Sequence, residues 1–135
     1  MHIGMVGLGK MGMNMTRRLL GGGHLVSAFA RTPKTVNEAV SFGAVPSRSL
    51  KELVATLPSP KVVWLMVPSG AATDEAIEGL IPYLSKGDIL VDGGNTYYKD
   101  DLRRSESLKS RGIRYVDSGT SGGIWGLEKG YCLMV

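Results

Sequence analysis

The sequence predicts an α/β fold in which a doubly wound, mainly parallel β-sheet carries helices on both faces. Three observations predict it. The chain opens with an apolar strand, a Gly-rich turn and a helix, apolar and amphipathic segments then alternate, and several strands are apolar almost throughout. Strands with that composition are covered on both faces, as in parallel sheets. The 135 residues are predicted to form one domain, spanning residues 1–135.

The predicted strands share an apolar run bounded by turn residues, and they cover residues 2–6, 24–29, 44–46, 61–67, 88–92, 113–117 and 130–135. The predicted helices share an apolar stripe, and they begin near residues 11, 32, 49, 72 and 98. Thr32 and Ser49 are the predicted N-caps of the second and third helices. In the fifth helix, over residues 98–110, Leu102 and Leu108 are predicted to point inward.

Composition excludes several classes of protein. The chain is 43% hydrophobic and 21% charged, which is typical of a globular protein, and its net charge of +4 is scattered rather than clustered, so no nucleic-acid partner is expected. No apolar run approaches the ~20 residues of a membrane span, and no signal peptide is recognised, so a cytoplasmic protein is expected. The single cysteine, Cys132, lies in an apolar run and is predicted to be buried and inert.

The first strand runs into a G-x-G-x-x-G turn that consists of Gly7, Leu8, Gly9, Lys10, Met11 and Gly12. Gly7 permits the tight turn, Gly9 lets the backbone approach a pyrophosphate, and Gly12 lets the helix pack closely on the strand. The free N–H groups at the helix start would then face the anion. A simple tight connection is the alternative, but the flanking strand and helix favour a dinucleotide-binding domain of the Rossmann type.

The end of the second strand bears on the choice of cofactor. An acidic residue there selects NAD, whereas an arginine accommodates the 2′-phosphate of NADP. This strand ends at Ala30-Arg31-Thr32, with no Asp or Glu. The alternative is a solvated Arg31 beside an N-cap Thr32. NADP is the expected cofactor, and NAD stays possible.

Three strands end in segments that would meet at one edge of the sheet, where ligands of parallel sheets collect. They are 66–70, with Met66, Val67 and Pro68; 92–96, with Asn95; and 117–123, with Ser121, Gly122 and Gly123. Asn95 can donate and accept hydrogen bonds, and Ser121 can donate to a carboxylate. Each segment could also be a plain strand-to-helix turn, but their convergence favours a substrate site.

No catalytic base is evident in the chain. His2 and His24 begin strands and are expected at the opposite edge of the sheet, and the lysines have no visible desolvating surroundings. Asp92 and Asp117 end strands, where capping or turn roles are expected rather than unusual titration. No metal-ligand cluster is recognised. The sequence therefore predicts a cofactor platform with half of a substrate site.

Five segments together resemble decarboxylating 6-phosphogluconate dehydrogenase, in its N-terminal cofactor domain within the β-hydroxyacid dehydrogenase superfamily. They are GLGKMG at 7–12, ART at 30–32, MVPSG at 66–70, GDILVDGGNTYYKD at 87–100 and DSGTSGGIWGLEKGYCLMV at 117–135. The resemblance implies oxidation of 6-phosphogluconate by hydride transfer, loss of CO2 and formation of ribulose 5-phosphate in the pentose phosphate pathway. It also implies a homo-oligomer, a dimer or a tetramer.

The resemblance assigns roles to residues of this chain. The 7–12 turn would carry the pyrophosphate, and Arg31 and Thr32 would meet the 2′-phosphate. Residues 66–68 would line the nicotinamide side, Asn95 would touch cofactor and substrate, and residues 121–123 would bind substrate. The family has Asn where this chain has Ala30, which removes one polar contact to the ribose.

The chain is expected to be truncated before an all-helical C-terminal domain, because it stops in an apolar strand and the family's lysine base and glutamate acid lie on a later helix. The chain alone would then bind cofactor without turnover. Two alternatives are left open: a 3-hydroxyisobutyrate-type dehydrogenase that acts on a small 3-hydroxy acid, and a nucleotide-sensing module without catalytic activity.

Overall fold

The computed structural model describes residues 1–135 and contains eight strands and six α-helices. The strands are β1 (His2–Val6), β2 (Leu25–Phe29), β3 (Val45–Pro46), β4 (Val62–Leu65), β5 (Ile89–Asp92), β6 (Arg114–Asp117), β7 (Gly119–Ser121) and β8 (Cys132–Met134). The helices are α1 (Lys10–Gly21), α2 (Pro33–Ser41), α3 (Leu50–Ala55), α4 (Ala71–Leu80), α5 (Tyr98–Lys109) and α6 (Gly126–Lys129). Short 3-10 turns lie at Ile81–Tyr83 and Gly123–Trp125.

Six strands form one parallel sheet in the order β3-β2-β1-β4-β5-β6. The chain builds outward from β1 to β3, returns across the sheet, and builds outward again from β4 to β6. The order reverses between β1 and β4, and ligands bind at such a switch point in doubly wound sheets. The predicted fold class is therefore confirmed.

Two apolar clusters cover the two faces of the sheet because alternate strand residues point to opposite sides. Val63 and Leu65 of β4 join α3, α4 and α5 on one face, whereas Trp64 packs with α1 and α2 on the other. Leu53, Leu80 and Leu108 are fully buried in the first cluster. The near-continuous apolar composition of β4 thus has the cause inferred from the sequence.

Two inward assignments made from the sequence are wrong. Leu102 of α5 is 65% exposed, whereas Leu108 is buried as predicted. Cys132 is exposed and free, not buried, because β8 does not enter the parallel sheet. It pairs antiparallel with β7, and Ser121 lies opposite Cys132 in that two-stranded ribbon. The sequence predicted a strand at 130–135 but not its partner.

The longest helices, α1 and α5, have 12 residues each. No helix combines the length and the apolar composition needed to span a bilayer.

Candidate functional site

The turn between β1 and α1 leaves backbone amides free at the start of the helix. Gly9 is the N-cap residue and has no side chain that could cap it, and the first amide to bond back to it is that of Met13, at 2.8 Å from the Gly9 carbonyl oxygen. The amides of Lys10, Met11 and Gly12 donate to no acceptor in the protein. Three unpartnered N–H groups at the positive end of a helix are an arrangement that can bind an anion.

The glycines of this turn differ in what surrounds them. A Cβ on Gly7 would collide with the backbone carbonyl of Met66, and Gly7 has φ +94°, which favours glycine. A Cβ on Gly12 would collide with the carbonyl oxygen of Gly7. A Cβ on Gly9 would meet no protein atom within 4 Å. Gly7 and Gly12 are therefore required by the packing, whereas Gly9 faces open space from which a ligand can approach.

The main cavity, of about 460 Å³, lies at the switch point of the sheet. Its lining includes nine of the residues predicted to bind cofactor: Gly7, Leu8, Gly9, Ala30, Arg31, Thr32, Met66, Val67 and Pro68. An adjoining cavity of about 280 Å³ shares four residues with it and adds Met11, Gly12, Gly93, Gly94 and Asn95. The two cavities together reach from Arg31 to Asn95.

Four predicted site residues lie outside these two cavities. Lys10 instead lines a separate cavity of about 300 Å³ beside α1, with Asn14 and Arg17. Ser121, Gly122 and Gly123 are exposed at the end of the β7–β8 ribbon. The ribbon nevertheless approaches Asn95, because the side-chain oxygen of Asn95 lies 3.8 Å from where a Cβ on Gly119 would be.

The end of β2 presents a free cation and a free hydroxyl to the main cavity. Arg31 is exposed and forms no ion pair within the protein. Thr32 is the N-cap of α2 as predicted, but its hydroxyl makes no capping bond, which corrects the predicted capping role of that side chain. Thr35, one helical turn later, also lines the cavity, and its spacing from Thr32 could have identified it. No carboxylate of this segment lines the cavity.

Sequence reasoning missed four residues that line the main cavity. They are Leu50 of α3 and Ala72, Glu75 and Ala76 of α4. Positions 72, 75 and 76 have the spacing of one helix face. That periodicity was visible in the sequence, but which face of α4 meets the cavity depends on how the helix packs on the sheet.

Asp92 holds the turn that carries Asn95. Asp92 is fully buried, and its Oδ1 accepts a hydrogen bond from the amide of Gly94 at 2.9 Å. The hydroxyl of Tyr115 lies 3.0 Å from Oδ2 of Asp92 and 2.7 Å from Oδ1 of Asp101. Thr96 donates to the Asp101 carboxylate at 2.9 Å. The turn role expected for Asp92 is therefore present, and it is reinforced by a buried hydrogen-bond network.

Arg104 supplies the buried cation of this network. Its Nε donates to Asp74 at 2.8 Å, its Nη2 donates to the Gly70 carbonyl at 3.2 Å, and its Nη1 lies 3.7 Å from Asp92. One guanidinium thus joins the segment after β4 to the segment after β5. The hydrogen bond from Arg104 lowers the pKa of Asp74 despite partial burial, while the bond and charge of Asp74 raise the pKa of Arg104 against the opposing effect of its own burial.

The pKa of Asp117 differs from the expectation drawn from the sequence. Although the residue is exposed overall, partial desolvation of its carboxyl group raises the pKa of Asp117, and the negative charges of Asp101 and Asp92 raise it further. The sequence had predicted a turn residue with ordinary titration. The pKa of Tyr115 is also raised, by burial and by its hydrogen bond to Asp101.

The switch-point cavity and the free amides beside it define the class of the protein: a Rossmann-type dinucleotide-binding domain. Residues 2–135 match the family model described as the NAD binding domain of 6-phosphogluconate dehydrogenase. The chain belongs to this family, and the resemblance inferred from its motifs is confirmed.

Two relatives support the same assignment. The chain is 42% identical over 135 residues to the NAD(+)-dependent, decarboxylating 6-phosphogluconate dehydrogenase of Haloferax volcanii. The alignment covers 100% of this chain and 44% of that protein. It is 40% identical over 137 residues to the decarboxylating 6-phosphogluconate dehydrogenase of Salmonella typhimurium. That alignment covers 98% of this chain and 29% of the relative. The chain therefore spans less than half the length of these relatives.

Two solved structures have the same fold. The 3-hydroxyisobutyrate dehydrogenase of Mycobacterium tuberculosis superposes with a TM-score of 0.90 at 27% identity, over 98% of this chain and 45% of that one. The 6-phosphogluconate dehydrogenase of Plasmodium falciparum, described with its cofactor NADP+ and with its substrate, also superposes at 0.90, at 31% identity, over 99% of this chain and 30% of that one.

Proposed function

We propose that residues 1–135 form the NADP-binding domain of an oxidoreductase that oxidatively decarboxylates 6-phosphogluconate to ribulose 5-phosphate. The observation that carries the proposal is the pair of adjoining cavities that together reach from Arg31, past the free amides of α1, to Asn95. An extended dinucleotide would place its 2′-phosphate at Arg31 and its pyrophosphate at the amides. Its nicotinamide would then lie near Asn95.

The residues present fit that cofactor. The unpartnered amides of Lys10, Met11 and Gly12 would donate to the pyrophosphate, and the open space at Gly9 would let it approach the backbone. Arg31 can pair with a phosphate through its planar guanidinium, and the free Thr32 hydroxyl can donate to the same group. The segment after β2 offers free hydrogen-bond donors and no carboxylate, and this combination supports NADP over NAD.

The bound nicotinamide would supply the acceptor for the hydride removed from the substrate. The chain's own residues would orient the reactants. Met66, Val67 and Pro68 would exclude water from one side of the site, and Asn95 would hydrogen-bond both the cofactor and the substrate. Ser121, Gly122 and Gly123 would bind the substrate from the β7–β8 ribbon. Neither cavity is lined by lysine or histidine, which supports a domain that binds cofactor while the catalytic base and acid lie outside residues 1–135.

Two measurements test the proposal. Titration of the chain with NADPH and NADH, followed by nucleotide fluorescence, should show tighter binding of NADPH. Assay of the same chain with NADP and 6-phosphogluconate should show no turnover. Tighter binding of NADH would overturn the NADP assignment, and the Haloferax volcanii relative, named NAD(+)-dependent at 42% identity, makes that comparison necessary. Turnover by this chain would overturn the placement of the base and acid.

A second candidate is a dehydrogenase of the 3-hydroxyisobutyrate type, acting on a small unphosphorylated 3-hydroxy acid. The equal TM-scores of 0.90 for the two solved dehydrogenases favour keeping it, because the fold does not separate the two substrate classes. Assaying a protein that carries this domain together with its catalytic residues, with both substrates, decides between them. Turnover of neither substrate would favour the nucleotide-sensing module.

We further propose a homo-oligomer that acts in the cytoplasm. The one cysteine, Cys132, is free, as a reducing compartment allows. Sedimentation of the protein at micromolar concentration tests the oligomeric state, and a monomer would contradict that part of the proposal.

A further inference from the structure

The main cavity contains one acidic residue, Glu75, and one basic residue, Arg31. The other lining residues are apolar, glycine or threonine. Arg31 follows β2, whereas Glu75 belongs to the second turn of α4. The two charges thus enter the cavity from different elements and are not paired with each other. The phosphate and pyrophosphate contacts proposed above do not use Glu75.

Helix α4 separates its two adjacent acids. Asp74 turns toward α5, where it pairs with Arg104 at 2.8 Å and with Arg103 at 3.0 Å. Glu75 instead shares a helix face with Ala72 and Ala76, and that face lines the cavity. Glu75 forms no ion pair and no side-chain hydrogen bond, so its carboxylate oxygens are free to accept from a ligand.

The surroundings of Glu75 fit a flat ring. Ala72 and Ala76 provide a low apolar wall on α4, and Leu50 and Phe29 add apolar surface nearby. Arg31, from the end of β2, offers a planar guanidinium that can stack on an aromatic face. A dinucleotide whose pyrophosphate lies at the start of α1 and whose 2′-phosphate lies at Arg31 would have its purine in this part of the cavity.

We propose that Glu75 determines base specificity by accepting a hydrogen bond from the exocyclic amino group of the adenine. This inference rests on the proposed nucleotide function. Adenine presents a hydrogen-bond donor at its 6-position. This donor matches a carboxylate, because an ionised carboxylate only accepts hydrogen bonds. Hypoxanthine presents a carbonyl oxygen at the same position, and this oxygen would face the carboxylate with no proton between them. The site would therefore prefer adenine to hypoxanthine.

The probe is the hypoxanthine analogue of NADPH, compared with NADPH itself by fluorescence titration of the chain and its variants. The unaltered chain should bind NADPH about tenfold more tightly than the analogue, as one hydrogen bond to a charged group allows. In Glu75→Ala the ratio should fall to about one, mainly because NADPH binds less tightly. In Glu75→Gln it should also fall, because the amide can accept from adenine and donate to hypoxanthine.

Glu78→Gln is the matched control. Glu78 is exposed, lies one turn further along α4 and does not line the cavity, so the ratio should stay near its original value. Far-ultraviolet circular dichroism of each variant checks that α4 is intact. Equal affinity of the unaltered chain for the two nucleotides overturns the inference, as does a ratio that Glu75→Ala leaves unchanged.

Two further outcomes are separable from these. If Glu75→Ala tightens NADPH but not NADH, the carboxylate repels the 2′-phosphate, and its assignment as an acceptor for adenine is wrong while the nucleotide site stands. If neither NADPH, NADH nor the analogue binds, the proposed function fails and this inference fails with it.

Discussion

Arg104 and Asp74 form the hydrogen-bonded ion pair that joins α5 to the start of α4, with 2.8 Å between Nε and Oδ1. The arginine side chain is 2% exposed, so its charge has been removed from water. The same guanidinium reaches the carbonyl of Gly70 and lies near Asp92. The two segments that border the cavity beside Asn95 therefore depend on one buried cation.

Replacement of that cation should destabilise the domain strongly. Arg104→Gln would leave the buried Asp92 and Asp101 without their cation, and removal of one partner of a buried pair costs about 3–5 kcal/mol. Arg103→Gln is the matched control, since Arg103 is 59% exposed and its pair with Asp74 should contribute less than about 1 kcal/mol. Urea unfolding followed by circular dichroism measures both. Equal losses of stability in the two variants would contradict the role assigned to burial.

Two glycines of the first turn should separate stability from binding. Gly12→Ala should lower the free energy of unfolding, because the new methyl group would collide with the Gly7 carbonyl. Gly9→Ala should change stability by less than about 1 kcal/mol but weaken NADPH binding, because its methyl group would occupy the open space where the pyrophosphate approaches. Thermal melting and nucleotide titration of both variants test this. Undiminished affinity for NADPH in Gly9→Ala would place the anion elsewhere.

Arg31 should affect NADPH far more than NADH. Arg31→Ala is expected to weaken NADPH binding by about tenfold to a hundredfold, since it removes a charge-assisted contact to the 2′-phosphate. Binding of NADH, which lacks that phosphate, should change only slightly. Lys34→Ala is the control, because Lys34 is an exposed cation of the same helix start that does not line the cavity. A loss shared equally by both nucleotides would show that Arg31 contacts the adenine alone.

Replacement of Asp117 should increase stability in a pH-dependent way. Its pKa is raised in the folded state above 3.8, so its ionisation opposes folding at neutral pH, and this cost disappears as the pH falls below the ordinary pKa. Asp117→Asn should therefore raise the free energy of unfolding at pH 7, by less than about 1 kcal/mol because the residue is exposed, and should have little effect near pH 3. Urea unfolding at the two pH values measures both.

The pKa shift of Asp74 has the opposite sign to that of Asp117, and so has its effect on stability. Arg104 lowers the pKa of Asp74 in the folded state, so the stability from this pair is fully present above the ordinary pKa and is lost as the pH falls through the lowered value. Asp74→Asn should thus cost stability at pH 7 and less at pH 3. An equal cost at both pH values would show that the charge of Asp74 does not contribute. For Asp117→Asn, an equal gain in stability at pH 7 and pH 3 would exclude the raised pKa as the cause of that gain.

The Gly-rich turn after β1 and the alternation of strands and helices were predictable because both depend on local patterns. Gly7 and Gly12 are required by contacts within one strand–turn–helix unit, and the apolar run of β4 reports burial on both faces. Arg31 and Thr32 were also identified locally, as the residues after a strand.

Glu75, Arg104, Leu102 and Cys132 show what only the tertiary structure decided. The sequence shows that 72, 75 and 76 share a helix face, but the packing of α4 on the sheet determines that this face meets the cavity. Likewise, Cys132 is exposed because β8 pairs antiparallel with β7. The pKa of Asp117 is raised because its carboxyl group is partly desolvated and because Asp101 and Asp92 add their negative charges. The physical reason is range: backbone conformation and helix periodicity are set by neighbouring residues, whereas exposure, charge pairing and cavity walls arise where distant segments meet.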